Sequence, residues 1–214
     1  MTADGVTEGT VAVVLTMGRP SPYARDFAAV GEVDLYRLAD VDLDEVPGLL
    51  IGGGVDQVFL AGQRARLDGW VSAGGRVAVC GQVHRPFLTG LVPFEPLAYR
   101  GTDDLRVTRR ADHPVWAGVE LDDLTFRRGV AGFYGRGWYP AQPPGTLVVH
   151  GIGPDRLALD YVYPFGAGEV LVHGGNELWG YHDEPNTSAR MAPQLLGWMS
   201  GRTASGPRPG TVPE

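Results

Sequence analysis

Residues 48–80 constrain the fold most, because they read as strand, helix and strand with glycines at both junctions. The apolar run at 48–51 ends in three glycines, and residues 55–73 carry apolar side chains at helical spacing. Two further glycines end that segment, and a second apolar run follows at 76–80. Short buried strands joined by a helix pair in parallel through a right-handed crossover. The sequence therefore predicts an α/β fold built on a mostly parallel sheet.

Other segments extend this pattern on both sides. Apolar or alternating runs predict five more strands, with the second of them on the outside of the sheet, and these are residues 10–17, 32–37, 146–150, 157–163 and 169–173. Helices are predicted over 22–30 and 187–199. Residues 85–144 are rich in glycine, proline and aromatic residues, which indicates an irregular β-rich insertion of short antiparallel strands. We expect one domain over 1–200 and a disordered tail over 201–214.

The composition excludes several classes of function. All 18 basic residues are arginine, so neither Schiff-base chemistry nor a lysine-dependent phosphate loop is available. One cysteine excludes an internal disulfide and multi-cysteine metal sites. A formal charge of −7 argues against nucleic-acid or anionic-membrane partners. We expect a cytoplasmic protein without a metal or cofactor, since no dinucleotide fingerprint follows the first strand; homo-oligomerisation stays open.

Residues with chemical potential follow three of the predicted strands. They are the glycines at 52–54, the Cys80-Gly81-Gln82 segment, and the sequence His-Gly-Gly-Asn-Glu that begins at His173. In an open parallel sheet, ligands bind beyond the carboxyl ends of the strands. A thiol, an imidazole and a carboxylate there form a nucleophile system, with Cys80 as nucleophile, His173 as general base and Glu177 as orienting acid. The backbone of Gly53 and Gly54 would supply donors to an oxyanion.

These motifs resemble the class I glutamine amidotransferase-like superfamily, in which a cysteine sits on a strand-to-helix elbow and a His-x-Glu follows a late strand. The resemblance implies a flavodoxin-like fold, with helices on both faces of the sheet. Residues 111–119 (ADHPVWAGV) and 168–198 are similar to elements of its trehalose-utilisation, ThuA-like branch. Two features depart from the pattern. Gln82 stands where the elbow has a small residue, and the acid follows His173 by four positions rather than two.

Two hypotheses of function follow. In the first, the chain is a non-catalytic or divergent domain that binds a small polar ligand, such as a carbohydrate, or a partner protein. In the second, it is a hydrolase or amidotransferase that depends on Cys80. The pocket of the first hypothesis combines glycine backbone with polar and aromatic side chains, namely Gly53, Gly54, Asp56, His84, Tyr134 and Arg136. A Cys80 sulfur that touches a histidine and opens to a cleft would favour the enzyme; a buried sulfur would favour the binding domain.

Two further clusters have alternative interpretations. A basic and aromatic group in the insertion suits either recognition of anions or sugars, or covering of a sheet face, and it consists of Arg127, Arg128, Tyr134, Arg136 and Trp138. The sequence His182-Asp183-Glu184 has metal-ligand residue types. Adjacent loop residues seldom converge on one ion, so we interpret it as an exposed acidic turn.

Overall fold

The computed structural model describes residues 7–201, so the predicted tail from residue 202 onward lies outside the described residues. One eight-stranded sheet forms the centre of the molecule. Its strands are β1 Ala12–Thr16, β2 Val30–Asp34, β3 Gly48–Ile51, β4 Arg76–Cys80, β5 Val107–Arg109, β6 Leu147–Ile152, β7 Leu157–Phe165 and β8 Gly168–His173. Their spatial order is β2-β1-β3-β4-β8-β7-β6-β5.

The sheet has a parallel half and an antiparallel half. Strands β2, β1, β3, β4 and β8 run parallel, whereas β7, β6 and β5 alternate in direction beside β8. The predicted α/β architecture with a mostly parallel sheet is confirmed. The antiparallel half arises because tight turns join β6 to β7 and β7 to β8. Those turns contain residues with positive φ, Gly153 and Arg156 in the first and Gly166 in the second.

The main helices are α1 Pro22–Asp26, α2 Gln57–Gly62, α3 Arg64–Ser72, α4 Leu121–Thr125 and α5 Met191–Met199. The single helix predicted over 55–73 is in fact two helices that meet at Gln63. The final helix begins as a 3-10 turn at Thr187–Arg190 before α5. Strand β2 ends before the predicted 32–37 segment does, because Leu35–Asp40 forms a 3-10 helix, but it does lie at the edge of the sheet.

Helices cover both faces of the sheet, so the strands of the parallel half are almost continuously buried. On one face Leu195 and Met199 of α5 pack with Ala78 and Leu171. On the other face Leu67 of α3 belongs to a separate core with side chains of β1, β3 and β4. None of the helices in the described part of the chain is long and apolar enough to span a membrane.

The segment between β4 and β6 is irregular, as predicted for residues 85–144. It forms two short antiparallel pairs, Glu95–Pro96 with Gly137–Trp138 and Phe126–Arg127 with Val130–Ala131. It also contributes β5, which extends the main sheet at its antiparallel edge. The segment therefore completes the sheet as well as covering it.

The loops that follow β3 and β4 touch through their backbones. Gly81 has a φ of +100°, and a Cβ atom there would lie 2.3 Å from the Cα of Gly53. Only glycine at position 81 satisfies both the backbone conformation and the close approach. Gly54 is different, because a Cβ atom at that position would meet nothing within 4 Å.

We expect Gly81→Ala to lower the free energy of unfolding by at least about 2 kcal/mol, from left-handed strain together with steric overlap. Gly54→Ala is the matched control, and we expect it to change that free energy by less than about 0.5 kcal/mol. Urea denaturation of both variants measures the difference. Equal stability of the two would contradict the backbone contact between Gly81 and Gly53.

Candidate functional site

A cleft of 610 Å³ opens at the carboxyl ends of β3, β4 and β8. Loops after these three strands form one side of it, and residues 132–136 of the insertion form the other. The lining is mostly glycine backbone with a few polar and aromatic side chains: Gly53, Gly54, Gly81, Gln82, His84, Gly132, Phe133, Gly135, Arg136, Gly174, Gly175, Asn176 and Glu177. The volume falls within the range of roughly 300–1,000 Å³ typical of small-molecule sites.

The two sides of the cleft are held together by backbone contact. A Cβ atom on Gly175 would lie 1.6 Å from the carbonyl oxygen of Tyr134, so the loop after β8 presses directly against the insertion. This contact requires glycine at position 175. At this contact the distance between the two sides of the cleft is therefore set by main-chain atoms.

Four of the predicted ligand-binding residues line the cleft. Gly53 and Gly54 contribute backbone, and His84 and Arg136 contribute exposed side chains. The Arg136 Nε donates to the carbonyl oxygen of Gly132 at 3.1 Å, which holds the guanidinium against the cleft wall. The glycine triplet lies in the connection between β3 and α2, and two of its three members line the cleft.

Two predicted ligand-binding residues are placed elsewhere. Asp56 is the N-cap of α2, where it accepts from the backbone N–H groups of Val58 and Phe59 at 2.9 and 3.0 Å. The hydrogen bond from the backbone N–H of Phe59 lowers the pKa of Asp56. The Asp56 carboxylate is not part of the cleft lining. Tyr134 is fully buried, and its hydroxyl belongs to an internal network. The structure therefore does not bring Asp56 or Tyr134 together with the other four residues in the cleft lining.

Glu177 lies in the cleft, but its partner is not His173. Its Oε1 accepts from the backbone N–H of Gly53 at 3.1 Å, and its side chain packs beside Gly52. The backbone donor that the sequence assigned to an oxyanion is thus already engaged by a carboxylate of the chain itself. The acid that contacts His173 is Asp160, on the neighbouring strand.

A row of four polar side chains crosses the sheet beneath the cleft. Cys80 of β4 is in register with His173 of β8, which is in register with Asp160 of β7, which is in register with His150 of β6. The histidines and the aspartate are completely buried. The sequence analysis singled out Cys80 and His173, whereas it missed Asp160, although a charged residue inside an apolar strand was a visible signal.

Asp160 is the centre of this row. Its Oδ1 lies 2.5 Å from Nδ1 of His173, and its Oδ2 lies 2.7 Å from Nδ1 of His150 and accepts from the Tyr134 hydroxyl at 2.6 Å. The Trp116 indole N–H donates to that hydroxyl at 2.8 Å. Burial by itself would raise the pKa of Asp160, but the two histidines hold it well below its ordinary value. A carboxylate only accepts, so both Nδ1 atoms carry a proton.

Cys80 is buried, with 2% of its surface exposed, and it is not among the cleft-lining residues. Burial raises the pKa of its thiol well above the ordinary value, and the nearby Glu177 and Asp160 carboxylates act in the same direction. Within residues 7–201 no histidine hydrogen-bonds to its sulfur, and the Nε2 of His173 has no partner. A nucleophilic thiol needs access and a depressed pKa. The geometry of Cys80 as it stands is that of a core residue.

The basic and aromatic cluster of the insertion is divided between structure and site. Arg127 Nε donates to Glu184 at 2.6 Å, and Arg128 approaches the same carboxylate at 3.3 Å. Glu184 is buried, so its interpretation as part of an exposed acidic turn was wrong. Of the cluster, only Arg136 lines the cleft. Sequence reasoning missed Phe133, which lies in the cleft with 42% of its surface exposed.

Comparisons with known proteins show the fold. No family model matches the sequence, and no curated protein matches it. The solved structure of the cytoplasmic protein STM3548 from Salmonella typhimurium is similar over 87% of this chain and 98% of its own, at 10% identity and a TM-score of 0.55. The exo-beta-1,4-mannosidase Op5Man5 from Opitutaceae bacterium strain TAV5 is similar over 88% of this chain and 36% of its own, at 13% identity and a TM-score of 0.50. This chain thus spans about a third of the mannosidase.

We expect Asp160→Asn to lower the free energy of unfolding at pH 7 by about 3–5 kcal/mol, because it removes the buried charge that two histidines contact. The folded pKa of Asp160 lies below its unfolded value, so its contribution is complete above about pH 5 and declines as the pH falls through about 4. The difference in free energy of unfolding between the wild type and the variant should therefore become smaller towards low pH. Urea denaturation from pH 7 to pH 3.5 measures this gap.

The matched control is Asp155→Asn, since Asp155 is exposed. Its effect on unfolding should stay below about 0.5 kcal/mol across the same pH range. A gap for Asp160→Asn that does not change with pH would contradict the charged state of the buried carboxylate.

Proposed function

We propose that this chain is a glutamine amidotransferase-like domain of flavodoxin-like topology, from the ThuA-like branch, that binds a small carbohydrate in the cleft without thiol chemistry. The order of its parallel strands supports the topology, because β2-β1-β3-β4-β8 corresponds to the order 2-1-3-4-5 of flavodoxin-like sheets. In such sheets ligands bind beyond the carboxyl ends of the strands. The cleft lies at that place.

The observation that carries the proposal is the hydrogen bond between Gly53 and Glu177. It occupies a backbone donor that an anionic ligand would use, and it places a carboxylate in the cleft. An anion entering there would meet a charge of the same sign and would have to displace Glu177. A ligand that offers donor groups to Glu177 suits the site better, and sugar hydroxyls are such donors.

The remaining lining fits a sugar ring as well. Phe133 presents an exposed aromatic face, which can pack against the C–H face of a pyranose. Arg136 and His84 supply donors to ring and hydroxyl oxygens, while Asn176 and Gln82 supply both donors and acceptors. An apolar surface with a few convergent polar groups is the usual composition of a small-molecule site.

A second candidate function, a Cys80-dependent hydrolase or amidotransferase, is favoured by one observation. The register of β4, β8 and β7 places a thiol, an imidazole and an orienting carboxylate side by side, in the sequence Cys80, His173 and Asp160. This function requires a conformation in which the Cys80 sulfur is exposed and contacts His173. Chemical labelling separates the two functions.

We expect iodoacetamide to leave Cys80 unmodified in the native protein and to modify it readily in urea, since the thiol is buried and its pKa is raised. Mass spectrometry of the intact chain measures the modification, and the single cysteine makes the result unambiguous. Rapid labelling of the native protein would instead support the hydrolase, above all if Cys80→Ser also abolished turnover.

The carbohydrate proposal is tested by calorimetric titration of common mono- and disaccharides. We expect Phe133→Ala and Glu177→Gln each to weaken binding by about tenfold, because one removes the ring platform and the other a charged acceptor. Tyr99→Ala is the control for Phe133, since Tyr99 is an aromatic residue of similar exposure, 45%, outside the cleft. If no sugar binds, or if the control loses as much affinity as Phe133→Ala, the proposal fails.

A further inference from the structure

A second cavity of 290 Å³ lies beside the cleft, at the carboxyl end of β1. The end of β1, the residues that lead into α1, and Trp179 form its walls. It shares two residues with the cleft, Gly54 and Glu177. The two cavities are therefore neighbours on one edge of the sheet.

The boundary between the cavities is low. Gly54 carries no side chain, and a Cβ atom there would meet nothing within 4 Å, so this part of the boundary faces open space. Gly52 lies against the Glu177 side chain. A Cβ atom at position 52 would lie 2.7 Å from Oε1 of Glu177 and would displace the carboxylate. Gly54 and Glu177 are the two residues that line both spaces. A chain-like ligand can pass over this boundary.

The second cavity is lined by groups similar in kind to those of the first. Tyr23 and Trp179 form an aromatic pair with ring centroids 6.2 Å apart, and Met17 adds apolar surface. Arg19 is exposed, and no ion pair with it occurs within residues 7–201. Burial and the neighbouring Glu177 carboxylate raise the pKa of Tyr23. Each cavity thus offers one arginine and an aromatic side chain on either side of the same carboxylate.

We infer that the two cavities are subsites of one crevice, and that its ligand is a saccharide of at least two rings. One ring lies against Phe133 and Arg136, and the next lies against Tyr23 and Arg19. Glu177 accepts hydroxyl groups where the two rings join. This inference rests on the proposed carbohydrate function and specifies the length of the ligand. The second cavity alone is about as large as the smallest small-molecule sites, so it suits an extension of a ligand rather than a separate one.

The test compares monosaccharides with the disaccharides built from them, by calorimetric titration of glucose with maltose, galactose with lactose, and mannose with mannobiose. For the sugar that binds, we expect the disaccharide to bind the wild-type protein at least about tenfold more tightly than the monosaccharide. The ratio of the two affinities is the quantity to follow in variants.

Two substitutions should reduce the ratio of disaccharide to monosaccharide affinity to a value between about one and about three. Arg19→Ala removes the charged group of the second subsite, and Gly54→Leu places a side chain on the open boundary between the subsites. The matched controls are Arg25→Ala, on exposed α1 surface outside both cavities, and Gly101→Leu, at another glycine whose Cβ position is open. Both controls should keep the wild-type ratio. Thermal unfolding confirms that all four variants are folded.

The possible results distinguish failure of the two-subsite inference from failure of the carbohydrate function. Equal affinity for mono- and disaccharides, or a ratio that Arg19→Ala and Gly54→Leu leave unchanged, would overturn the two-subsite inference and leave the carbohydrate function in place. If none of the six sugars binds, the carbohydrate function is wrong and the inference falls with it.

Discussion

The buried carboxylate of Asp160 is the interaction on which the cleft depends. It accepts hydrogen bonds from side chains of β6, β8 and the insertion, so three separate parts of the chain converge on one pair of oxygens. A buried ion of this kind is stable only when every element that satisfies it is in place. Since Tyr134 precedes Gly135 and Arg136, and His173 precedes Gly174 and Gly175, the same bonds position both sides of the cleft.

The sequence predicted the parallel half of the sheet well and the antiparallel half poorly. Hydrophobic runs at β1, β3 and β4 with a helix between two of them leave few alternatives, because buried parallel strands need crossovers. Strands β6, β7 and β8 give the same apolar signal, but their direction depends on turn conformations at Gly153 and Gly166 that a glycine-rich sequence does not distinguish. Periodicity identifies a strand; the connection determines its direction.

The sequence grouped several residues that line the cleft, but it did not determine which way each side chain points. The rule that ligands bind at the carboxyl ends of parallel strands pointed to Gly53, Gly54 and Glu177, and these three residues line one cleft. This rule does not predict whether a side chain at the end of a strand points into the cleft or into the core. Cys80 and His173 were therefore assigned to the cleft, although both are buried in the core. Tyr134 and Phe133 show the same limit, because adjacent residues of an irregular segment point in opposite directions, one buried and one exposed. Those directions depend on tertiary packing rather than on local sequence.

The contact between Gly175 and the Tyr134 carbonyl affects how the cleft would recognise a ligand. Where main-chain atoms of two loops meet without side chains between them, the distance between the walls has little freedom to adjust. A ligand entering such a space loses little free energy to ordering of the walls, since the ordering was completed when the chain folded. At this end of the cleft the spacing of the backbone is fixed before any ligand arrives, so the shape of a ligand adds to the discrimination that Glu177 makes by charge.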